Sequence, residues 1–153
     1  MSISVGIGYD SHRLVEGERL LLGGVEIEHE RGLAGHSDAD VLTHAVIDAV
    51  LGAGGAEDIG ALFPDDDERW RDADSLELLR LALARVQGRV LNVDATLICE
   101  QPRIGPHRSE MERKLSEVLS ARVSVKATSN EGMGFVGRGE GIACIAVAAL
   151  DSE

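Results

Sequence analysis

The chain has 153 residues, 44% hydrophobic and 27% charged, with a net charge of −12, which makes one ordinary domain, residues 1–153, long enough to bury a core. The acidic balance argues against nucleic acid or an anionic membrane as partner, and no apolar run approaches the ~18 residues of a membrane span. The N-terminus shows neither the charged leader nor the small-residue cleavage site of a signal peptide, so a cytoplasmic protein is expected.

The first predicted strand covers about residues 2–9, with Ile3, Val5 and Ile7 alternating, and it ends in GYDSH. Residues two apart on a strand share a face, roughly 7 Å apart, so Asp10 and His12 can hold a metal together or form a solvated strand end. LLLGGVEIE, from Leu20 to Glu28, reads as an extended piece broken at Gly23-Gly24, a hairpin or bulge signal. A helix follows, with Val41, Leu42, Ala45, Val46, Ala49 and Val50 at helical spacing, Ser37 or Asp38 as its cap and Gly54-Gly55 as its end.

On that helix Asp40, His44 and Asp48 form one polar stripe opposite the apolar set, and His36-Ser37 lie near an N-terminus able to attract phosphate. Asp10, His12 and His44 together make three N/O ligands with an open fourth position, the pattern of a catalytic zinc. One of Asp40 and Asp48 is expected to orient His44 from behind.

From Glu57 to Glu77 nine acids stand against Arg69 and Arg71, a net of −7, which reads largely as a solvated loop. Asp58, the run Asp65 to Asp67, and Glu131 are candidate metal ligands or hydroxyl acceptors. A second helix starts at Asp74, with Glu77 completing a capping box and Gly88 as terminator. LNVDATLIC then alternates as a half-buried strand with Leu91, Val93, Ala95, Leu97 and Cys99 on one face.

A third helix begins near Pro106 and carries Met111, Leu115, Val118 and Leu119; strands follow at about 122–128 and 141–150. Gly134, Gly137, Gly139 and Gly141 read as a loop whose amides can approach a ligand closely. Cys99 and Cys144 lie in strand-like apolar stretches without CxxC spacing, as buried reduced thiols do. The order β-β-α-α-β-α-β-β implies an α+β fold, one mixed sheet covered on one face by helices. An apolar second face would need a partner subunit as cover.

GYDSHR, GHSDADVLTHAVIDAVLGAGGAEDIGALFPDDD and KATSNEGMGFVGRGEGIA, in this order, resemble the 2-C-methyl-D-erythritol 2,4-cyclodiphosphate synthase family over about Ser4 to Leu150. The resemblance implies a homotrimer with active sites between subunits, in the non-mevalonate route to isoprenoid precursors. The implied reaction is a phosphorus–oxygen lyase step that turns 4-diphosphocytidyl-2-C-methyl-D-erythritol 2-phosphate into the cyclic diphosphate and CMP.

By position, the resemblance implies zinc on Asp10, His12 and His44, with Asp10 and His12 also at the substrate, and magnesium or manganese on Glu131. His36 and Ser37 match residues at the reacting phosphates, and His36 with Ser129 match positions tied to transition-state stabilisation. Asp58, Ile59 and Gly60 match the reader of the erythritol hydroxyls, and Phe63, Pro64, Asp65, Asp66 and Asp67 the loop above it. Cys99, Glu100, Gln101, Pro102, Arg103, Ile104 and Gly105, with Ala127, Thr128, Ser129 and Asn130, fall on the cytidine pocket.

Phe135 and Arg138 match residues at the trimer axis or the substrate approach. Arg103 replaces the usual lysine, Ser129 the usual threonine, and Asn130-Glu131-Gly132-Met133 departs from the common wording while keeping Glu131 in register. Ile145 stands where many members carry a glutamate, so Arg138 is expected to lack that acidic partner.

Overall fold

The computed structural model describes all 153 residues. Strand β1 (Ile3–Glu16) is followed by a small hairpin of β2 (Leu20–Leu22) and β3 (Val25–Ile27), then β4 (Arg31–Ala34). Helices α1 (Val41–Ala53), α2 (Ile59–Leu62) and α3 (Ser75–Leu83) lead to β5 (Arg89–Ile98). After α4 (Arg108–Leu119) come β6 (Arg122–Thr128), the short α5 (Gly134–Gly137) and β7 (Gly141–Asp151).

The main sheet has the order β4-β1-β7-β5-β6, antiparallel except for β5 and β6, which run parallel with α4 as their crossover. It is a mixed α+β domain, as expected, with α1, α3 and α4 on one face of the sheet. Four strands, not two, precede the first helix, because β4 is only four residues long and its RGLA carries no strand signal. No helix is long and apolar enough to cross a membrane.

The face that β1 turns to the helices is the reverse of what its apolar residues advertise. Gly6 and Gly8 are buried under α1, whereas Ile3, Val5, Ile7 and Tyr9 are exposed, Val5 at 65% and Ile7 at 69%. A Cβ on Gly8 would sit 2.0 Å from the Ala45 carbonyl oxygen, and one on Gly6 2.1 Å from that of Ala49, so only glycine lets the helix lie this close. On the open face Ile7 pairs with Val147 and Tyr9 with Ile145 across β1 and β7, and all four are exposed. The sheet therefore carries an uncovered apolar patch.

Helix α1 is buried on almost every side, Asp48 and Gly52 excepted, so its Asp40, His44 and Asp48 stripe is an interior feature. Its cap is Asp40, in place of Ser37 or Asp38. Asp40 Oδ1 accepts from the Thr43 and Gly23 amides at 3.0 and 2.9 Å, while Oδ2 accepts from the Gly24 amide and the Thr43 hydroxyl, each at 2.8 Å. The carboxylate thus ties the Gly23-Gly24 turn of the hairpin to the helix start. It also occupies the end where phosphate was expected; His36 and Ser37 precede the helix instead of capping it.

Helix α3 ends at Leu83, short of Gly88, as Arg85 and Val86 bond to the carbonyls three residues back and tighten the chain. Asp74 caps it through the Leu76 amide, but Glu77 turns outward to Arg80 and completes no capping box. A register shift between Val90 and Asn92 makes Val90 the inward residue and leaves Leu91 half-buried, breaking the expected alternation. Residues Met111, Leu115 and Leu119 bury the α4 stripe as expected, with Val118 half-buried beside it. Gly134–Gly137 is helical and Gly141 begins β7, so the glycine cluster is no continuous loop.

Two glycines of the α1–β1 contact should respond with opposite signs to an added methyl. Gly8→Ala forces the helix away and costs about 1–3 kcal/mol. Gly52→Ala, whose Cβ would meet Gly6 Cα at an ordinary 3.6 Å, gains up to about 1 kcal/mol of helix stability. Urea unfolding midpoints of the two variants and the parent measure both.

Candidate active site

Asp10 and His12 stand in the middle of β1, not at its end, because the strand continues through Ser11, Arg13 and beyond as the partner of β7 and β4. Both face α1, on the side of Gly6 and Gly8, and there they meet His44. Asp10 Oδ2 is 2.8 Å from His12 Nε2 and 3.2 Å from His44 Nδ1, and the two ring nitrogens are 3.3 Å apart. The ligand atoms of all three residues lie within 4.8 Å of one another.

The imidazole of His12 is fixed from outside. Its Nδ1 lies 3.1 Å from the Ala34 carbonyl oxygen, to which it donates, so the lone pair is left on Nε2. Gly35 makes room for the ring: a Cβ there would be 2.6 Å from His12 Nδ1.

Asp10 Oδ2 is buried and, for all its close neighbours, has no hydrogen-bond partner in line with it. Burial alone would raise the Asp10 carboxyl, but His12 and His44 hold it down to about 2, so it is a carboxylate. Conversely, burial pulls His44 down, but Asp10, with Asp40 and Asp38 behind it, more than reverses this and leaves His44 raised. An orphaned buried carboxylate oxygen facing two imidazole nitrogens fits a divalent metal, and the donor set is the borderline N/O type.

A cavity of about 360 Å³ opens over the triad. His36, Ser37, Ile59, Gly60, Phe63, Pro64, Asp65 and Asp66, all among the candidates, line it, and so do Trp70 and Leu78, which were not. Phe63 packs edge-on against Trp70 with ring centres 5.0 Å apart. Two expected members do not reach the cavity as side chains. Asp67 turns its carboxylate to Arg69 at 2.7 Å and gives the site only its carbonyl, bonded by His36 Nε2 at 3.1 Å. Asp58 is exposed at the start of α2, outside the cavity wall.

Neither the Asp40 nor the Asp48 carboxylate hydrogen-bonds the His44 imidazole; Asp40 meets His44 only through its carbonyl, which accepts the His44 amide at 2.9 Å. Asp40 is consumed by its cap, and Asp48 accepts the Ile59 amide at 2.7 Å, which fixes the Asp58–Gly60 segment against α1. The hydrogen-bonding neighbours of His44 Nε2 are Ser75 Oγ at 2.8 Å and Ser37 Oγ at 3.1 Å, with Asp38 Oδ1 behind them at 3.9 Å. Ser75 lies far along the chain, and no local pattern pairs it with His44. Trp70, the only tryptophan, was the more findable omission.

The remaining candidates gather elsewhere, where β5 and β6 end side by side. The Cys99 amide donates to the Thr128 carbonyl at 2.9 Å, and the Glu100 carboxylate accepts the Asn130 and Gly132 amides at 2.9 and 3.2 Å. This clamp orders Cys99–Gly105 against Ala127–Glu131. Ser129 Oγ accepts the Glu131 amide at 3.2 Å, and the Glu131 side chain is exposed.

Within that cluster Ile104 is buried in the core, and burial pushes the Cys99 thiol up to about 11, so it stays protonated. None of these residues lines the cavity over the triad. Three strand spacings, about 14 Å, separate β6 from β1. Within one chain, then, His36 and Ser129 stand apart, and so do the triad and Glu131. Phe135 is exposed beside this second cluster, and Arg138, with Ile145 in place of an acid, pairs instead with its near neighbour Glu140, at 3.3 Å.

The YgbB family model matches residues 3–151. The chain belongs to the YgbB family. Among its members, the 2-C-methyl-D-erythritol 2,4-cyclodiphosphate synthase of Salinibacter ruber is 55% identical over 154 residues, covering 97% of this chain and 98% of that protein. The Rubrobacter xylanophilus enzyme of the same name is 57% identical, covering 96% and 94%.

Solved structures agree with these relatives. The bifunctional IspDF of Campylobacter jejuni superposes with a TM-score of 0.94 at 37% identity, over 99% of this chain and 43% of that one. A 2C-methyl-D-erythritol-2,4-cyclodiphosphate synthase in its CDP-bound form gives 0.86 at 38%, over 96% and 99%.

Gly35 offers a test of the triad that touches no ligand atom. Gly35→Ala drives a methyl into the His12 ring, and the affinity for a divalent metal should fall roughly tenfold to a hundredfold. Competition with a chromogenic chelator reads this directly, with unfolding midpoints confirming that the fold survives.

Proposed function

We propose that this chain converts 4-diphosphocytidyl-2-C-methyl-D-erythritol 2-phosphate to 2-C-methyl-D-erythritol 2,4-cyclodiphosphate and CMP, in the non-mevalonate route to isoprenoid precursors. The observation that carries this is the convergence of Asp10, His12 and His44 under a cavity lined by His36, Ser37, Ile59 and Gly60, in a member of this family. In the reaction an oxygen of the 2-phosphate forms a bond to the β-phosphorus. The bond from that phosphorus to the bridging oxygen breaks, and CMP leaves with the oxygen. No water is consumed.

Asp10, His12 and His44 would hold zinc, which when bound supplies Lewis-acid polarisation of the β-phosphate. Glu131 would hold a second divalent ion, magnesium or manganese, and its exposed carboxylate beside Ser129 suits that task. The chain itself contributes position and hydrogen bonds. His36, anchored on the Asp67 carbonyl, and Ser37 stand at the reacting phosphates on one side, and Ser129 on the other. The Ile59 and Gly60 main chain at the cavity wall, fixed by Asp48, would read the erythritol hydroxyls together with Asp58, which stands exposed at the rim beside them. Phe63, Pro64, Asp65 and Asp66 close over them. The attacking phosphate is already ionised at neutral pH, so no general base is required and orientation supplies much of the rate.

The cytidine is read by Cys99–Gly105 with Ala127, Thr128, Ser129 and Asn130, a segment ordered by the Glu100 clamp; CDP occupies the synthase and the Plasmodium falciparum IspF whose solved structures carry it. These residues serve the triad of a neighbouring subunit in a homotrimer. Two features support this: the separation of the clusters in one chain, and the apolar open face of Ile3, Val5, Ile7, Tyr9, Ile145 and Val147. Phe135 and Arg138 would then lie near the trimer axis or the substrate approach. Two buried free thiols suit the reducing cytoplasm as the place of action.

Incubation with the cytidine diphosphate substrate, followed by phosphorus NMR, decides the reaction. CMP with a cyclic diphosphate is expected; CMP with an open-chain product would make the protein a hydrolase. His44→Ala should abolish the signal, and full turnover by that variant without metal would end the zinc assignment.

The assembly is tested by Ile7→Asp, which puts a charge on the open sheet face. Analytical ultracentrifugation should show a trimer for the parent and a monomer for the variant, with unchanged circular dichroism and lost turnover.

A further inference from the structure

The outer nitrogen of His44 is held by residues from two other parts of the chain. Ser75, the first residue of α3, is fully buried, and its Oγ lies 2.8 Å from His44 Nε2. The same hydroxyl donates to Asp38 Oδ1, and the Ser75 amide donates to Asp38 Oδ2 at 2.9 Å. The Asp40 amide, at 3.2 Å, adds a third donor to Asp38. A carboxylate only accepts, and a hydroxyl has one proton, so the Ser75 proton is committed to Asp38. What Ser75 offers His44 is therefore a lone pair. In the neutral imidazole, the form that can bind a metal, the one proton must sit on Nε2 to meet it, which leaves the lone pair of His44 on Nδ1, facing Asp10 Oδ2 at 3.2 Å and His12 Nε2 at 3.3 Å.

Without that hold the other tautomer has a reason to form: an Nδ1–H would find the orphaned Asp10 oxygen as its acceptor. A proton placed there blocks the nitrogen that the triad needs. Ser37, 3.1 Å from the same Nε2, is not bound to a carboxylate and lines the cavity, so its hydroxyl proton remains free for a ligand. Ser75 and Asp38 differ from it in being turned away from the cavity over the triad, whose wall includes neither.

We propose that Ser75 and Asp38 are positioning residues that lock His44 as its Nε2–H tautomer and so make Nδ1 the metal-binding atom. The second half rests on the reading of the triad as a metal site; the first half does not. Metal affinity then depends on α3, an element that contributes no ligand.

The test uses the full chain, with zinc as probe. Chelator competition gives the affinity, and long-range nitrogen–proton NMR of the histidines gives the tautomer, with and without zinc. The parent should show His44 protonated at Nε2. In Ser75→Ala zinc binding should weaken roughly tenfold to a hundredfold, with Nδ1–H appearing in the metal-free protein. Asp38→Asn should act in the same direction, because the new amide can donate to Ser75 and turn its proton toward His44. Ser75→Thr keeps the hydroxyl and should recover zinc binding to within about threefold of the parent.

A Ser75→Ala protein with parental zinc affinity and an unchanged Nε2–H would overturn the proposal. Should Ser75→Ala fail to fold, Asp38→Asn and Ser75→Thr decide by the same two readings. Tautomer changes as described in a parent that binds no zinc would support the lock and strike down the metal reading alone.

Discussion

Helix α1 rests on bare backbone, and the site depends on the depth of that contact. The carbonyls of Ala45 and Ala49 lie where Cβ atoms of Gly8 and Gly6 would be, so side chains larger than hydrogen on β1 would lift the helix. His44 precedes Ala45 in the helix, and Asp10 lies two residues beyond Gly8 on the strand. The place of closest approach is thus next to the place where the imidazole must reach the carboxylate. Metal–ligand bonds of about 2 Å leave little room for a displaced helix. Asp40 sets the other variable, because its four hydrogen bonds tie the helix start to the β2–β3 turn and resist rotation of α1 about its axis.

A convergence of acceptors opposes the fold that contains it. Asp10 Oδ2 lacks an aligned donor, and a buried polar atom left so costs about 1–3 kcal/mol. The structure holds it because the outward nitrogens of both histidines are tied elsewhere, one to the Ala34 carbonyl and one to Ser75. A cation at the centre would take up the three converging lone pairs as ligands. The acids between Glu57 and Glu77 behave differently. Asp67, Glu68 and Glu77 pair with Arg69, Arg71 and Arg80, Asp74 caps α3, and Glu57, Asp58 and Asp72 are exposed, so that only Asp65 and Asp66 line the cavity. The local charge is large, but little of it is aimed at the site.

The triad was legible because each half obeys a short period: Asp10 and His12 share a strand face, and His44 sits opposite the apolar stripe of its helix. The orientation of β1 was not. Its apolar residues point away from the helices because its glycines must point toward them, and alternation alone does not say which set faces in. The strand also runs on past Tyr9 through polar residues, sustained by pairing with β7 and β4. Local pattern equally misled the cap. Ser37 and Asp38 are good capping residues, but Asp38 is used by Ser75, a partner 37 residues away in sequence. Contacts of that kind leave no trace in spacing. Helix α4 was more accessible, since its Met111, Leu115 and Leu119 stripe rests on one continuous segment.

Under the proposed assembly, the two oddities of the isolated chain have one cause. A sheet that turns Val5, Ile7 and Val147 outward is costly in water, and a site divided between the β1 side and the β6 edge is useless in one chain. In the proposed trimer, burying the first against another copy would also bring the second cluster of one subunit toward the first cluster of the next. Selection on catalysis and selection on solubility then act on the same surface. Gly6 and Gly8 belong to that logic as well: by giving the inner face of β1 to the helix backbone, they leave its outer face as the place where large apolar side chains can serve, and that face is the one a neighbour would cover.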